Sequence, residues 1–230
     1  MSPRPYTIIS AALSWDGKLS LPGRLPARLG TRRDREGLMN LRAECDAVLA
    51  GAATVTRDRL TLGLPRPALR RARISRELSP VPLRAVVSGR LNLSPDLPLF
   101  DPDIGSPLVL FCSRAAAAGR RERFCRCADL YVCGASSVDP RAALGILRVV
   151  YGVRRLLVEG GGRLNGWLLR ASLVDELRLT FCPLLVGGSD AATLADGPGF
   201  PISRAPRARL ARWAAHDGEV EATYLLRPRA

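Results

Sequence analysis

The stretch LLVEGGGRLNGWLLRASLVDELRLTFCPLLVGG, Leu156–Gly188, decides the fold of this chain. It begins with a short apolar run, Leu156–Val158, that predicts a buried strand, and it ends with a second β-like run, Glu176–Leu185. Between the two runs, Leu164 and Trp167–Leu169 recur at the spacing of three and four residues that is typical of a helix. The pattern therefore predicts a strand–helix–strand unit, which builds parallel or mixed sheets.

Glu159 and three glycines, Gly160–Gly162, separate the first strand from this helix. Bare main chain at that point lets a ligand approach closely, and the unpaired N–H groups and positive dipole end of the helix favour a phosphate. The glycines do not have the G-x-G-x-x-G spacing of the dinucleotide fingerprint, and a tight turn has a similar composition. The layout is thus a candidate anion site with a carboxylate at its edge.

Length and composition indicate one α/β domain covering residues 1–230. The sequence has no apolar run of the roughly 18 residues that a membrane helix needs. The first residues carry too short an apolar stretch for a secretory signal before Asp16 and Lys18. We therefore expect a cytoplasmic protein with no membrane partner.

The net charge of +14 suggests a polyanionic partner. The basic residues are almost all scattered arginines, Lys18 being the one lysine, and no aromatic residues interleave with them to stack on bases. We therefore expect a small phosphorylated ligand and no nucleic acid. A non-catalytic nucleotide-sensing or nucleic-acid-binding protein is the alternative from another class.

Cysteine and histidine usage argues against a metal site. The six cysteines form no C-x-x-C pair, and His216 is the one histidine. Several cysteines fall in predicted strands and read as buried thiols. We expect no metal and no Ser–His or Cys–His nucleophile.

Apolar runs and turn residues outline the other elements. A helix capped by Thr31, with Asp34 in its first turn, is predicted to run to about Glu44, and another starts at Asp139-Pro140 and ends near Tyr151. Pro65–Pro82 reads as an exposed loop. Asp217-Gly218 predicts a hairpin. Further strands are predicted at Tyr6–Leu13, Ala47–Ala50, Arg84–Val87, Leu108–Cys112 and Leu130–Cys133. The fold class is α/β: a mostly parallel central sheet flanked by helices, with a C-terminal antiparallel hairpin.

Four patterns in one order carry a family resemblance. They are ALSWDGK at Ala12–Lys18, LRAECDAVLAGAATV at Leu41–Val55, VEGGG at Val158–Gly162, and LVDEL at Leu173–Leu177 leading to PLLVG at Pro183–Gly187. Together they resemble the riboflavin-pathway pyrimidine reductases, over nearly the whole chain. The resemblance implies a dihydrofolate-reductase-like fold, a homodimer, and NADPH-dependent reduction of the ribosyl group of a diaminopyrimidinone ribosyl 5′-phosphate to ribityl.

The same resemblance implies roles for particular residues. Glu159 matches a substrate-contacting carboxylate and is able to steady the positive charge of an iminium. Asp16 and Lys18 lie in the loop that borders the nicotinamide, so we expect all three in the catalytic centre. Arg42 and Leu60 join Glu159 as expected substrate contacts. The expected cofactor contacts are Ala12, Thr54, Asp58, Ser88, Gly89, Arg90, Gly160, Gly161, Gly162, Arg163, Leu164 and Asn165.

Other interpretations of these positions stay open. Thr54 and Asp58 share a helical face, as cofactor contacts or as ordinary first-turn residues. The turn Ser88–Arg90 suits a 2′-phosphate, and also reads as a plain surface turn. Leu60–Gly63 departs from the family pattern, with Arg57, Arg59 or Arg66 as possible substitutes for a phosphate-binding arginine. This departure motivates the alternative of a same-fold NADPH reductase acting on a pterin, a dihydrofolate-like compound or a specialised metabolite. The H-x-E and P-C-x-x-C pair of zinc deaminases is absent from the sequence, so another protein is expected to deaminate.

Overall fold

The computed structural model describes residues Pro3–Arg227, which divide into two compact units. Among these residues, the central unit comprises Pro3–Pro5 and Met39–Leu157, and the terminal unit comprises Tyr6–Leu38 and Val158–Arg227. The expectation of one domain over residues 1–230 stays a prediction.

Strands and helices alternate along most of the chain. The strands are β1 Tyr6–Ser14, β2 Ala47–Gly51, β3 Leu83–Val87, β4 Leu108–Cys112, β5 Asp129–Val132, β6 Arg155–Val158, β7 Glu176–Cys182, β8 Ala208–His216 and β9 Glu219–Leu226. The α-helices are α1 Arg32–Glu44, α2 Ala52–Asp58, α3 Pro67–Ile74, α4 Ala118–Phe124, α5 Pro140–Val149 and α6 Gly162–Arg170. Over residues 3–227, no helix has both the length and the apolar character to cross a membrane.

Strands of the central unit follow the order β5-β4-β3-β2-β6, and β2 to β5 pair in parallel. All of β4 and nearly all of β2 are buried, as expected for parallel strands with both faces covered. The predicted positions of these strands are confirmed. Parallel pairing brings the carboxyl ends of β2, β3 and β4 to one edge, where Thr54 and Ser88 follow.

Strands of the terminal unit follow the order β1-β7-β9-β8. β1 and β7 pair in parallel, with Ala12 opposite Thr180, and β9 pairs antiparallel with both β7 and β8. Asp217 (φ +51°) and Gly218 (φ +82°) form the two-residue turn between β8 and β9, where both positions need left-handed backbone. The predicted hairpin and fold class are confirmed.

The predicted loop Pro65–Pro82 is wrong, because α3 occupies its first half. Pro67 supplies the fixed φ of a first helical turn. Arg73, 2% exposed, donates from Nη1 to the carbonyl oxygens of Ala43 (3.0 Å) and Cys45 (2.6 Å), where α1 ends. A segment rich in arginine is therefore ordered because one of its guanidinium groups binds the end of another helix.

Arg84 and Arg42 are also buried in the central unit and also donate to main-chain carbonyls. Arg84 Nη2 donates to the carbonyl oxygen of Ser106 (2.7 Å), and Arg42 Nη1 donates to that of Gly63 (2.6 Å). Part of the positive charge that, from composition alone, suggests a polyanionic partner is thus buried inside the protein.

The predicted helix α1 is confirmed, with Thr31 as its capping residue. Thr31 Oγ1 accepts from the Asp34 N–H (3.5 Å), and the Thr31 hydroxyl and N–H donate in turn to Glu219 at 2.7 Å each. The Asp34 carboxyl bonds to Thr180, and burial raises its pKa. A carboxylate distant in sequence, that of Glu219, thus binds the capping residue in place of the Asp34 carboxylate.

The predicted strand Glu176–Leu185 is too long, since β7 ends at Cys182. Pro183 has no N–H for a strand ladder, so pairing stops there. Residues 183–187 form a loop instead.

Candidate active site

A turn of bare main chain joins β6 to α6 in the terminal unit. Glu159 follows the strand and is half-buried, Gly160 has a φ of +77°, the Gly160–Gly161 peptide bond is cis, and α6 begins at Gly162. Gly161 is the residue before the helix and provides no side-chain cap. The first-turn N–H groups of a helix have no intrahelical acceptor, so this end of α6 is suited to an anion.

Asn165 lies beneath this turn and is an unusual buried amide. Its side chain is 0% exposed, and neither amide atom has a hydrogen-bond partner within residues 3–227. A Cβ placed on Gly160 would lie 3.4 Å from Asn165 Nδ2. An unpaired buried amide costs about 1–3 kcal/mol, so the site is built for a polar group that these residues do not supply.

The segment Thr193–Asp196 packs directly against the start of α6. The Asp196 N–H donates to the carbonyl oxygen of Gly162 (2.9 Å). A Cβ on Gly162 would overlap the carbonyl oxygen of Thr193, and one on Gly166 would overlap that of Asp196. Both positions of α6 therefore require glycine for close approach of main chain to main chain.

Asp16 holds two loops of the terminal unit together. Its carboxylate accepts from the N–H groups of Val186 (3.0 Å) and Gly187 (2.7 Å) and from the Ser14 hydroxyl (2.6 Å). The Ser14 hydroxyl bond, followed by the Val186 N–H, lowers the pKa of Asp16 to about 2. The carboxyl is therefore ionised at neutral pH and anchors a loop. A catalytic role for Asp16 stays a prediction, and an ionised carboxylate does not serve as the proton donor in that role.

We expect the Asp16 carboxyl to titrate near pH 2 in a carbon-13 NMR experiment. Because the pKa in the folded state lies below the ordinary 3.8, these bonds stabilise the protein above about pH 4 and are lost as the pH falls towards 2. Ser14→Ala should move the midpoint up towards 3.8. A wild-type midpoint already near 3.8 would contradict the assignment.

Lys18 ends the loop that Asp16 anchors. Its N–H donates to Ser14 Oγ (3.0 Å), and Lys18 forms an isolated antiparallel bridge with Thr193. The side chain is half-buried. The structure thus brings Lys18 beside the Thr193–Asp196 segment that contacts α6.

In the central unit, Thr54 and Asp58 lie on α2, directly after β2. Thr54 is buried, and the Asp58 carboxylate receives two hydrogen bonds from Arg57, at 2.7 Å each. The Asp58 bond raises the pKa of Arg57. Arg57 is thus paired with Asp58, and the candidate substitutes for a phosphate-binding arginine, Arg57, Arg59 and Arg66, stay predictions.

Arg42 and Arg70 hold the segment Leu60–Leu64, which follows α2. Besides the Arg42 bond to Gly63, Arg70 Nε donates to the carbonyl oxygen of Leu64 (2.6 Å). Sequence reasoning missed Arg70, since nothing in its local pattern distinguishes it from its arginine neighbours. The substrate contacts expected of Arg42 and Leu60 stay predictions, and the geometry gives Arg42 the further role of positioning this segment.

The turn Ser88–Arg90 follows β3 and is fixed by residues after β4. The Gly89 carbonyl oxygen accepts from the N–H (3.0 Å) and hydroxyl (2.8 Å) of Ser113, and the Arg90 carbonyl oxygen accepts from Arg120 Nη1 (3.2 Å). Sequence reasoning missed Ser113 and Arg120. The position of Ser113 directly after a strand adjacent to β3 was the available signal.

Within residues 3–227, no group of three or more His, Cys, Asp or Glu side chains is able to hold a metal ion.

The two units divide the expected site residues between them. The terminal unit contains Ala12, Asp16, Lys18, Glu159, Gly160, Gly161, Gly162, Arg163, Leu164 and Asn165. The central unit contains Arg42, Thr54, Asp58, Leu60, Ser88, Gly89 and Arg90.

A family model described as the RibD C-terminal domain matches residues 5–221. The chain belongs to the RibD C-terminal domain family. The expected resemblance to riboflavin-pathway reductases is confirmed.

Two proteins similar to this chain are named 2,5-diamino-6-ribosylamino-4(3H)-pyrimidinone 5′-phosphate reductases. That of Archaeoglobus fulgidus is 34% identical over 197 residues, covering 86% of this chain and 89% of the relative. That of Methanothermobacter thermautotrophicus is 33% identical, covering 86% of each. The chain also matches longer proteins named RibD, of which it spans about half the length.

A solved structure gives the same fold for this family. The pyrimidine reductase-like protein of Corynebacterium diphtheriae superposes with a TM-score of 0.82 at 18% identity, covering 98% of this chain and 93% of the other. At 18% identity the match supports the fold and carries no argument about the roles of individual residues.

Proposed function

We propose that this protein is an NADPH-dependent reductase that converts the ribosyl group of 2,5-diamino-6-ribosylamino-4(3H)-pyrimidinone 5′-phosphate to ribityl, a step of riboflavin biosynthesis. The structural observation that carries the proposal is the glycine turn at the end of β6, with its helix N-terminus and buried Asn165. The substrate comes from the two reductases that match most of the chain at 33–34% identity.

The glycine turn would hold the diphosphate of the cofactor. Main-chain N–H groups of Gly162, Arg163 and Leu164 point from the first turn of α6, and Gly160 and Gly161 add no side chain that would block approach. Asn165 would gain a polar partner for its buried amide. When bound, NADPH supplies a hydride.

Glu159 and the loop that carries Lys18 would act on the substrate. The ring-opened sugar presents a C=N bond at C1′, which takes up a hydride at carbon and a proton overall to become an amine. Glu159, placed at the edge of the turn, would stabilise positive charge at that nitrogen. Lys18 would border the reacting carbon, and Asp16, ionised and bonded to Val186 and Gly187, would fix the loop.

Residues of the central unit would contribute further contacts, proposed here from the family resemblance. Thr54 and Asp58 would contact the cofactor, and Arg42 and Leu60 the substrate. Arg59 is exposed and forms no ion pair or side-chain hydrogen bond within the described chain, so we favour it for the substrate phosphate.

The turn Ser88–Arg90 would bind the adenosine end of the cofactor and select NADPH over NADH. Ser88 supplies a hydroxyl and Arg90 a guanidinium, the two groups that suit a 2′-phosphate. The Ser113 and Arg120 bonds hold the turn in place.

We also propose a cytoplasmic homodimer. All six cysteines are free thiols, as is usual in a reducing compartment. Strand β8 lies at the edge of the sheet and exposes Leu210 and Trp213, which suits burial against a second copy.

The purified protein should oxidise NADPH in the presence of the pyrimidinone ribosyl phosphate. NADPH absorbance and mass spectrometry of the ribityl product measure this reaction.

Arg90→Ala should reduce the preference for NADPH over NADH about tenfold or more, because a charge-assisted phosphate contact is worth about 1.5–3 kcal/mol. Arg123→Ala, an exposed arginine on α4, is the control. Turnover of dihydrofolate or another acceptor, with the pyrimidine untouched, would favour the same-fold alternative and refute the proposed substrate.

Asn165→Leu tests the cofactor fit without relying on turnover. The leucine removes an unpaired buried amide, so we expect the unliganded protein to gain about 1 kcal/mol of stability in denaturant unfolding. The same change should weaken NADPH binding and shrink the thermal shift that NADPH produces. Asn40→Leu, at an exposed helical position, should alter neither binding nor the shift. Unchanged NADPH affinity in Asn165→Leu would remove Asn165 from the cofactor site.

A further inference from the structure

Asp196 connects two parts of the terminal unit that the proposed reaction uses. Through its main-chain N–H it donates to Gly162, the first residue of α6 (2.9 Å), and its carboxylate accepts from Arg24 Nη1 (2.7 Å). The other carboxylate oxygen accepts from the N–H (2.9 Å) and hydroxyl (2.8 Å) of Thr193. One residue thus bonds both to the start of the helix at the glycine turn and to the loop after β1.

Contact between Asp196 and α6 is too close for independent movement. A Cβ on Gly162 would lie 2.7 Å from Asp196 Cγ, and one on Gly166 would overlap the Asp196 carbonyl oxygen. Closely packed interiors transmit such displacements. A shift of Asp196 would therefore shift the first turn of α6.

The loop Lys18–Leu25 is held at several points to residues 190–196. The Leu19 N–H donates to the carbonyl oxygen of Ala192 (2.7 Å), and the Gly23 N–H donates to the Asp190 carboxylate (2.6 Å). The Arg24–Asp196 pair is the one ion pair recorded between these two segments within residues 3–227. It lies at the far end of the loop from Lys18.

Arg24 has a strained main chain, and Asp196 is a carboxylate whose hydrogen bonds outweigh its burial. Arg24 has a φ of +59°, a left-handed backbone that costs a non-glycine residue free energy and persists where surrounding contacts impose it. Burial by itself raises the pKa of Asp196, but the Thr193 and Arg24 bonds outweigh burial, so the pKa lies below its ordinary value. The carboxylate is charged at neutral pH and requires its partners.

We infer that Asp196 is a positioning residue which, through Arg24, links the order of the Lys18–Leu25 loop to the orientation of the first turn of α6. The inference rests on the proposed function, since it assigns the α6 turn to the cofactor diphosphate. Cofactor binding and loop order are then coupled: loosening the loop weakens dinucleotide binding at the glycine turn.

Four variants test the coupling: Arg24→Ala, Arg24→Lys, Asp196→Asn and the double variant Arg24→Ala/Asp196→Asn. We expect Arg24→Ala and Asp196→Asn each to raise the Kd for NADPH about fivefold, with kcat changed less than twofold. The Kd of the double variant should be little higher than that of either single variant, because the two substitutions remove the same Arg24–Asp196 interaction. Arg24→Lys keeps the charge and should recover most of the affinity. Arg33→Ala, which removes the exposed pair with Glu221 in the same unit, is the control.

Amide hydrogen exchange of the unliganded protein supplies a readout that does not depend on activity. Arg24→Ala should speed exchange in residues 18–25 and also in residues 162–166. Faster exchange confined to residues 18–25, with the NADPH Kd unchanged, would overturn the coupling. If the wild type binds NADPH but leaves the pyrimidine unreduced, the proposed function fails while the coupling is still decided by Kd and exchange. If the wild type binds no nicotinamide nucleotide, the hydrogen-exchange pattern alone decides whether the Lys18–Leu25 loop and the first turn of α6 are coupled.

Discussion

Gly162→Ala is expected to lower the free energy of unfolding by about 2 kcal/mol and to weaken NADPH binding at least tenfold. The added methyl group would overlap the carbonyl oxygen of Thr193 and lie 2.7 Å from Asp196 Cγ. The first of these neighbours is main chain and is unable to rotate away, so α6 or the Thr193–Asp196 segment must move. Denaturant unfolding measures the first effect, and titration of protein fluorescence with NADPH measures the second.

Gly145→Ala is the matched control for this substitution. Gly145 also lies within a helix, α5, and a Cβ there meets no heavy atom within 4 Å. Alanine favours a helix over glycine, so this variant should gain about 0.5–1 kcal/mol in stability. Its NADPH affinity should be that of the wild type. Equal losses in both variants would show that general helix disturbance, and not contact at Gly162, is responsible.

Arg73→Met should be the most damaging single substitution to stability, at about 3–5 kcal/mol. The methionine keeps much of the side-chain volume but leaves the buried carbonyl oxygens of Ala43 and Cys45, and that of the exposed Ser79, without their guanidinium donor. Loss of a positive charge at the end of α1 also removes a favourable interaction with the helix dipole. The shift of the denaturation midpoint measures the effect.

Arg71→Met, two residues earlier on α3, separates this role from general loss of charge. Arg71 is exposed, so its replacement should change stability by no more than about 0.5 kcal/mol. Arg73→Lys should recover little, because an ammonium group on a flexible chain does not reproduce the planar fork that reaches several carbonyl groups. A small effect of Arg73→Met would mean that α1 ends without needing this donor.

Local patterns predicted most of the elements because their causes are local. Apolar runs placed β2, β3, β4 and β6 within one or two residues of their observed bounds. Asp217-Gly218 predicted the hairpin because its backbone needs are met within two residues. Asp139 likewise caps α5 through a bond to the N–H of Arg141 (2.9 Å).

Features that failed, or were not foreseen, depend on partners distant in sequence. Glu219 binds the capping residue of α1 from 188 residues away, and Arg73 orders α3 by reaching back to the residues before β2. Composition has no means of distinguishing Arg73 from the exposed arginines beside it. An arginine-rich, proline-bounded stretch therefore predicted a loop where the tertiary contacts form a helix.

The site shows the same division. Glycines after a strand predicted the turn at Gly160–Gly162, and the structure has the expected strand, turn and helix. The unpaired amide of Asn165 and the contacts of Asp196 depend on packing that no periodicity encodes. The family resemblance predicts Asp16 in the catalytic centre, whereas its hydrogen bonds to Val186 and Gly187 show that it holds two loops together.

The enclosed guanidinium groups of Arg42, Arg73 and Arg84 have a practical consequence for handling this protein. Its isoelectric point of about 10.9 overstates how cationic its solvent-facing surface is, so retention on a cation-exchange resin should be weaker than the composition suggests. Attempts to make the chain less basic, for solubility or for expression, should begin with arginines that face water and leave these three unchanged.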